Sequence, residues 1–230
     1  MELTGKYRHE LKYQVSTADY LALRQRLQPI MTRDPHVGAD GLYTIRSVYF
    51  DNYRDKALHE KLDGVQLREK FRIRYYNDDL SFITLEKKVK HNDLCMKVDA
   101  PITHEEFRRI MEQPGSWMLK HPDPLVRELY CKMQFQQLRP RVLVSYVREP
   151  YIYAAGNVRV TFDSRIRTSL FENRFADGAL PDISATDTPD DRILEVKFDD
   201  FLPEVIRTLL QCGSLRQQAF SKYGACRRFG

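Results

Sequence analysis

Residues 66–76 read Gln66-Leu67-Arg68-Glu69-Lys70-Phe71-Arg72-Ile73-Arg74-Tyr75-Tyr76. Leu67, Phe71, Ile73 and Tyr75 share one parity, and Arg68, Lys70, Arg72 and Arg74 share the other. A two-residue period of this kind is the mark of a β-strand with one apolar and one basic face. The same alternation recurs along the chain, in six to eight segments. In residues 82–90, Ile83, Leu85 and Val89 oppose Thr84, Glu86, Lys88 and Lys90; in 157–164, Val158, Val160 and Phe162 oppose Arg159, Thr161 and Asp163. In 192–198, Leu194, Val196 and Phe198 oppose Ile193, Glu195 and Lys197. A first strand over 6–13 sets Arg8, Glu10 and Lys12 on one face, and a strand over 141–149 ends on Tyr146 and Arg148.

Between the strands lie helix signals. Ser16 and Thr17 precede a helix closing near Leu27, with Asp19 in its first turn, and Thr103 with Glu106 three residues on makes a capping box. Further helices are expected over 123–138, 202–211 and 215–223. Residues 29–41, punctuated by Pro29, Pro35, Gly38 and Gly41, read as a loop, and 172–191 as a long loop rich in Asp, Pro and Gly. The fold class is therefore α+β, dominated by mostly antiparallel sheet.

The chain has 230 residues, 42% hydrophobic and 30% charged, with 26 aromatics, a globular composition read as a single domain over 1–230. No apolar run approaches 18 residues and the first thirteen residues are polar, so neither a membrane-spanning helix nor a signal peptide is expected, and the location is read as cytoplasmic. Cys95, Cys131, Cys212 and Cys226 form no Cys-x-x-Cys pair, which argues against a zinc ribbon, a redox motif or a disulfide framework. The six histidines have no metal-ligand spacing and read as surface or structural. Tyr43, Tyr49, Phe50 and Trp117 read as core, and Asp51-Asn52-Tyr53 as a turn.

An amphipathic strand by itself calls for nothing beyond a solvated face. Solvated faces mix signs, however, because like charges opposite one another across strands repel. Arg8, Lys12, Arg72, Arg74, Lys88, Arg148, Arg159 and Lys197 fall on polar strand faces, and Lys222 joins them from the C-terminal segment. Against these nine cations stand Glu10, Glu86, Glu195 and Asp163, an excess that equals the formal net charge of +5. If the faces converge, as they would in a sheet closed on itself, the interior is cationic. Unpaired buried charges are costly. A polyanion would compensate them through charge-assisted hydrogen bonds of roughly 1.5–3 kcal/mol each. A carboxylate beside bound phosphates suits a divalent metal, and Glu195 is the first candidate.

These residues, in this order, resemble the VTC-type polyphosphate polymerase domains: Arg8-x-Glu10-x-Lys12, Arg72-x-Arg74, Glu86-x-Lys88, Arg148, Arg159, Glu195-x-Lys197 and Ser221-Lys222-Tyr223-Gly224. Those domains are similar to the wider triphosphate tunnel metalloenzymes, which include RNA triphosphatases, thiamine triphosphatase and CYTH-type adenylate cyclases. The resemblance spans about residues 6–224. It implies an antiparallel, eight-stranded closed β-barrel with helices packed outside, transferring the γ-phosphate of ATP to inorganic polyphosphate with Mn²⁺ or Mg²⁺. By motif position, Lys12, Arg72, Arg74, Lys88, Arg148, Arg159, Lys197 and Lys222 would act on the phosphates. Arg8, Tyr146 and Ser221 would lie beside the substrate, and Glu195, Glu10 and Glu86 would be the metal carboxylates. Where the hydrolase branch has a first Glu, this chain has Arg8, which favours the polymerase branch. A tripolyphosphate or nucleoside triphosphate hydrolase on the same tunnel, and a non-catalytic module binding polyphosphate or inositol phosphate, are the alternatives. Nucleic acid ranks low, because the basic faces carry few aromatics for base stacking.

Overall fold

The alternating segments fold as strands whose two faces have different destinations. The computed structural model describes residues 6–169, 183–186, 191–211 and 215–228. Strand β1 (Arg8–Val15) leads into helix α1 (Thr17–Leu27), capped by the Ser16 hydroxyl, which accepts from the Asp19 N–H. Then come β2 (Thr32–Arg33), β3 (Tyr43–Asp51), α2 (Lys56–Leu62), β4 (Leu67–Tyr76), β5 (Asp79–His91) and β6 (Leu94–Ile102). Helices α3 (His104–Glu112) and α4 (Pro124–Phe135) follow, then β7 (Arg139–Tyr153), β8 (Val158–Ser169), β9 (Ile183–Ser184) and β10 (Arg192–Phe198). The last helices are α5 (Glu204–Leu209) and α6 (Lys222–Cys226).

Strand pairing runs β7-β3-β4-β5-β6-β1-β10-β8, and β8 pairs back onto β7, so eight antiparallel strands make a ring. The short β2 and β9 add to β7 and β8 outside that circuit. Outward parities pack against helices. Phe71, Ile73, Tyr75, Ile83 and Leu85 meet Phe107 and Ile110 of α3 and Leu125, Leu129 and Met133 of α4. On the other side, Val158, Val160, Phe162, Leu194 and Val196 meet Leu23 and Leu27 of α1 and Ile206 of α5. Helices outside and charges inside are the reverse of a small globular core, and both follow from the strand phase. Among the described residues no helix is long and apolar enough to cross a membrane.

The structure corrects four expectations. The interior is not cationic throughout: Ile45, Val144 and Ile193 share the inward parity and cluster with Tyr223 and Cys226 of α6. One part of the interior is thus apolar because α6 packs onto it. Residues 215–221 are not helical. Gln217 bridges to Tyr13, and the Gln218 N–H donates to the Lys12 carbonyl at 2.9 Å, so this segment lies extended along β1 before Ser221 caps α6. The loop expected over 29–41 contains β2, and β3 and β6 are two whole strands that the alternation does not predict. Of the long loop expected over 172–191, only 183–186 and 191 lie within the described residues.

Candidate functional site

The inward faces enclose a cavity of about 640 Å³. Of the fourteen residues singled out from the sequence, all except Glu86 line it. Strand register explains the convergence: Lys197 lies across from Glu10 on one side and from Arg159 on the other, and Lys12 lies across from Glu195. Arg72 and Glu86 are likewise cross-strand partners between β4 and β5.

The cations are ordered by carboxylates. Arg148 grips buried Asp163 with two bonds, Nε to Oδ1 at 2.6 Å and Nη2 to Oδ2 at 2.7 Å. Lys222 reaches the same Oδ2 at 2.5 Å, with its ammonium 4.7 Å from the Tyr146 ring centroid. Arg72 bonds Glu86 through Nε at 2.6 Å and donates through Nη1 to the Tyr49 hydroxyl at 2.7 Å. Arg74 lies 3.6 Å from Glu86 and donates to the Ser47 and Tyr146 hydroxyls at 3.3 and 3.4 Å. Lys12 stands between Glu10 at 3.0 Å and Glu195 at 3.5 Å, and Lys197 between the same two carboxylates at 3.7 and 2.7 Å. Lys88 pairs with Glu10 at 2.7 Å. Arg159 bonds Asp34 and donates to the Tyr43 hydroxyl at 2.7 Å. Arg8 stands with Asp199, Nε to Oδ1 at 2.8 Å.

This arrangement fixes protonation states. Burial opposes the charge on Glu195, yet Lys197, Lys12, Lys222 and Arg148 hold its carboxyl well below the usual range. Burial likewise opposes ionisation of Glu86, and Arg72, Arg74 and Lys97 overcome it. Arg148 loses solvation, but Asp163 keeps its guanidinium firmly protonated. Lys197 goes the other way: its desolvation outweighs Glu195 and Glu10, and its ammonium is held below the ordinary lysine value.

Among the described residues, no three or more His, Cys, Asp or Glu groups come together to hold a metal. Glu10 and Glu195 do stand together, sharing Lys12 and Lys197. Mg²⁺ is usually held by one or two carboxylates together with substrate phosphate oxygens and water, so the donor set fits a metal that arrives with phosphate. Glu86 is not brought to that pair; its ion-pair partners are Arg72, Arg74 and Lys97. Ser221 lines the cavity, but its hydroxyl accepts from the Gly224 N–H at 3.1 Å and caps α6.

Sequence reasoning missed several lining residues. Tyr43 and Tyr49 of β3 are not packing residues alone, since their hydroxyls position Arg159 and Arg72. Five tyrosines, Tyr43, Tyr49, Tyr76, Tyr146 and Tyr223, line the cavity, so the basic interior is not aromatic-poor. These rings lie against cations rather than open as stacking surfaces; Arg72 is 5.6 Å from Tyr49 and Arg148 5.3 Å from Tyr146. The sequence places Asp163 on the polar face but does not show that it lies under both Arg148 and Lys222. Its parity with Arg159 was the available signal.

A ring of eight antiparallel strands around a buried cation lattice defines the triphosphate tunnel metalloenzyme class of fold. The VTC domain model matches residues 7–229, and the chain belongs to that family, whose fold is of this class. A solved Bacillus halodurans protein described as a candidate adenylate cyclase is 14% identical, with a TM-score of 0.51, covering 85% of this chain and 82% of its own. The Pyrococcus horikoshii OT3 protein PH1819 is 13% identical with a TM-score of 0.45, covering 92% and 94%. No curated protein sequence matches the chain. Membership of the VTC family supports chemistry on polyphosphate or triphosphate, and the tunnel metalloenzymes generally use divalent metals.

Proposed function

We propose that this chain is a metal-dependent polyphosphate polymerase that moves the γ-phosphoryl group of ATP onto the end of an inorganic polyphosphate chain inside a closed β-barrel. One observation carries the reading: the candidate cations, carried by six strands (β1, β4, β5, β7, β8 and β10) and the C-terminal helix, meet in one cavity, each paired with a carboxylate. In the reaction the bond from the γ-phosphorus to the β,γ-bridging oxygen breaks, and a bond forms to a terminal oxygen of the chain. ADP leaves. That oxygen is ionised already, so no protein base is needed, and catalysis consists of placement and charge stabilisation.

Arg148 commits Nε and Nη2 to Asp163, which leaves Nη1 for phosphate oxygens. Arg72, Arg74 and Arg159, held by tyrosine hydroxyls, would align the phosphates in the same way. Lys12, Lys88 and Lys222 would meet the charge that develops on the leaving group, and Lys197 would join them. Glu195, with Glu10, would hold Mn²⁺ or Mg²⁺, which when bound supplies neutralisation of the phosphate oxygens. Arg8, with Asp199 as counterion, occupies the position where a hydrolase would place a metal carboxylate, which supports transfer over hydrolysis.

Incubation with ATP and Mn²⁺ should give ADP and a ladder of polyphosphate on a gel. Release of free phosphate without chain growth would replace the polymerase reading with the hydrolase one. Glu195→Gln should lower turnover by about a hundredfold or more while retaining much phosphate binding; full activity would remove Glu195 from the metal site.

A further inference from the structure

The cavity cations fall into two groups. Those at the centre have carboxylate partners. Lys61, Arg68, Lys70 and Lys90 also line the cavity, and among the described residues none has a carboxylate within ion-pair distance. Register makes the contrast sharper: Arg72 faces Glu86 across β4 and β5, whereas Arg68 faces Lys90 and Lys70 faces Lys88. Two like-charge pairs in succession are destabilising in a sheet. Lys61 adds a third charge to the outer pair from a separate element, the last turn of α2. Arg68 and Lys90 weigh on its ammonium, which burial already holds below the ordinary lysine value. A sequence keeps such a cluster facing a cavity only where an anion relieves it.

We propose that Lys61, Arg68, Lys70 and Lys90 form a second phosphate-binding subsite, flanking the carboxylate-paired centre and occupied only by a chain too long for the centre alone. This rests on the reading of the cavity as a polyphosphate site and adds a determinant of chain length to it.

Lys70 supplies a proton signature for occupancy. Its surroundings are Lys88 across on β5, Arg68 on its own strand, Lys12 from β1, Asp51 from β3, Lys56 of α2 and the Tyr223 ring of α6 at 4.9 Å. Lys56 is itself held by Glu60 at 2.6 Å. Burial first, then Lys88 and Arg68, lowers the Lys70 amine to about 7. Without phosphate, Lys70 is therefore largely deprotonated above that pH, and an arriving phosphate restores the proton.

The test is titration calorimetry of the full chain with inorganic tripolyphosphate and with a longer inorganic polyphosphate. The wild type should bind the longer chain more tightly, and at pH 8 should take up a proton from the buffer as it does so. The double variant Arg68→Gln/Lys90→Gln should lose about tenfold or more of the longer chain's affinity. Tripolyphosphate binding should change by less than about threefold, because a charge at that range is screened. Lys70→Met should abolish the proton uptake and, having removed a buried amine with no carboxylate partner among the described residues, should unfold at a temperature no lower than the wild type. Equal affinity for the two lengths in the wild type, or equal weakening of both in the double variant, would overturn the subsite. A length preference without ATP-driven chain growth would keep the subsite and reject the polymerase.

Discussion

Asp163 shows at the scale of one residue how a cation-lined cavity is held together. Its carboxylate has no solvent exposure and lies under both Arg148 and Lys222. Burial works against its charge, and Arg148 then Lys222 reverse that, leaving its carboxyl below the ordinary value. A carboxylate lowered in this way stabilises the fold above its unfolded value of about 3.9 and loses that contribution as the pH falls toward the folded value. Asp163→Asn leaves two buried cations without their partner and should cost about 3–5 kcal/mol at neutral pH in urea unfolding. The gap to the wild type should narrow below about pH 4, and added tripolyphosphate should recover part of it. Equal stability of the two proteins at pH 7 would show that Asp163 is not the counterion the geometry makes it. The sequence made the cations legible, since their parity is regular. The groups that orient them were harder to see, because a tyrosine or aspartate on the same parity looks like core or turn until its partner is known.

At the scale of the element, legibility followed the cleanness of the alternation. β4 and β10 read directly, because one face meets the helices and the other meets only charge. In β3 the inward residues are Tyr43, Ile45, Ser47 and Tyr49, and the outward ones include Val48 and Phe50. Both faces are buried, so the period of two fades. In α6 the short Lys222–Cys226 run follows an extended segment held by backbone bonds to β1, a tertiary contact that no local propensity records. The capping box of α3 was plain in the sequence and is complete. The Thr103 hydroxyl accepts from the Glu106 N–H at 3.1 Å, and the Glu106 carboxylate accepts from the Thr103 N–H at 2.8 Å. Thr103→Ala should therefore cost about 1 kcal/mol in stability. Because α3 packs on the outer face of the ring, the same variant should bind tripolyphosphate with unchanged affinity. A matching loss of affinity would mean that the outer layer and the interior are coupled.

At the scale of the whole molecule, closing the ring is what gives the scattered residues a common purpose. Arg8, Arg72, Arg148, Glu195 and Lys222 are spread over most of the chain, and only the pairing of β8 with β7 and of β1 with β10 brings them around one cavity. The outer core stabilises that ring from both sides, so the interior can carry charge in place of the packing most domains of this size use. The most direct test is a crystal structure of the protein with inorganic tripolyphosphate. The phosphates should lie inside the ring, within hydrogen-bonding distance of Arg72, Arg148 and Lys12. Phosphates bound only on the outer surface, with the interior cations still paired solely to Asp163, Glu86 and Glu10, would contradict the account.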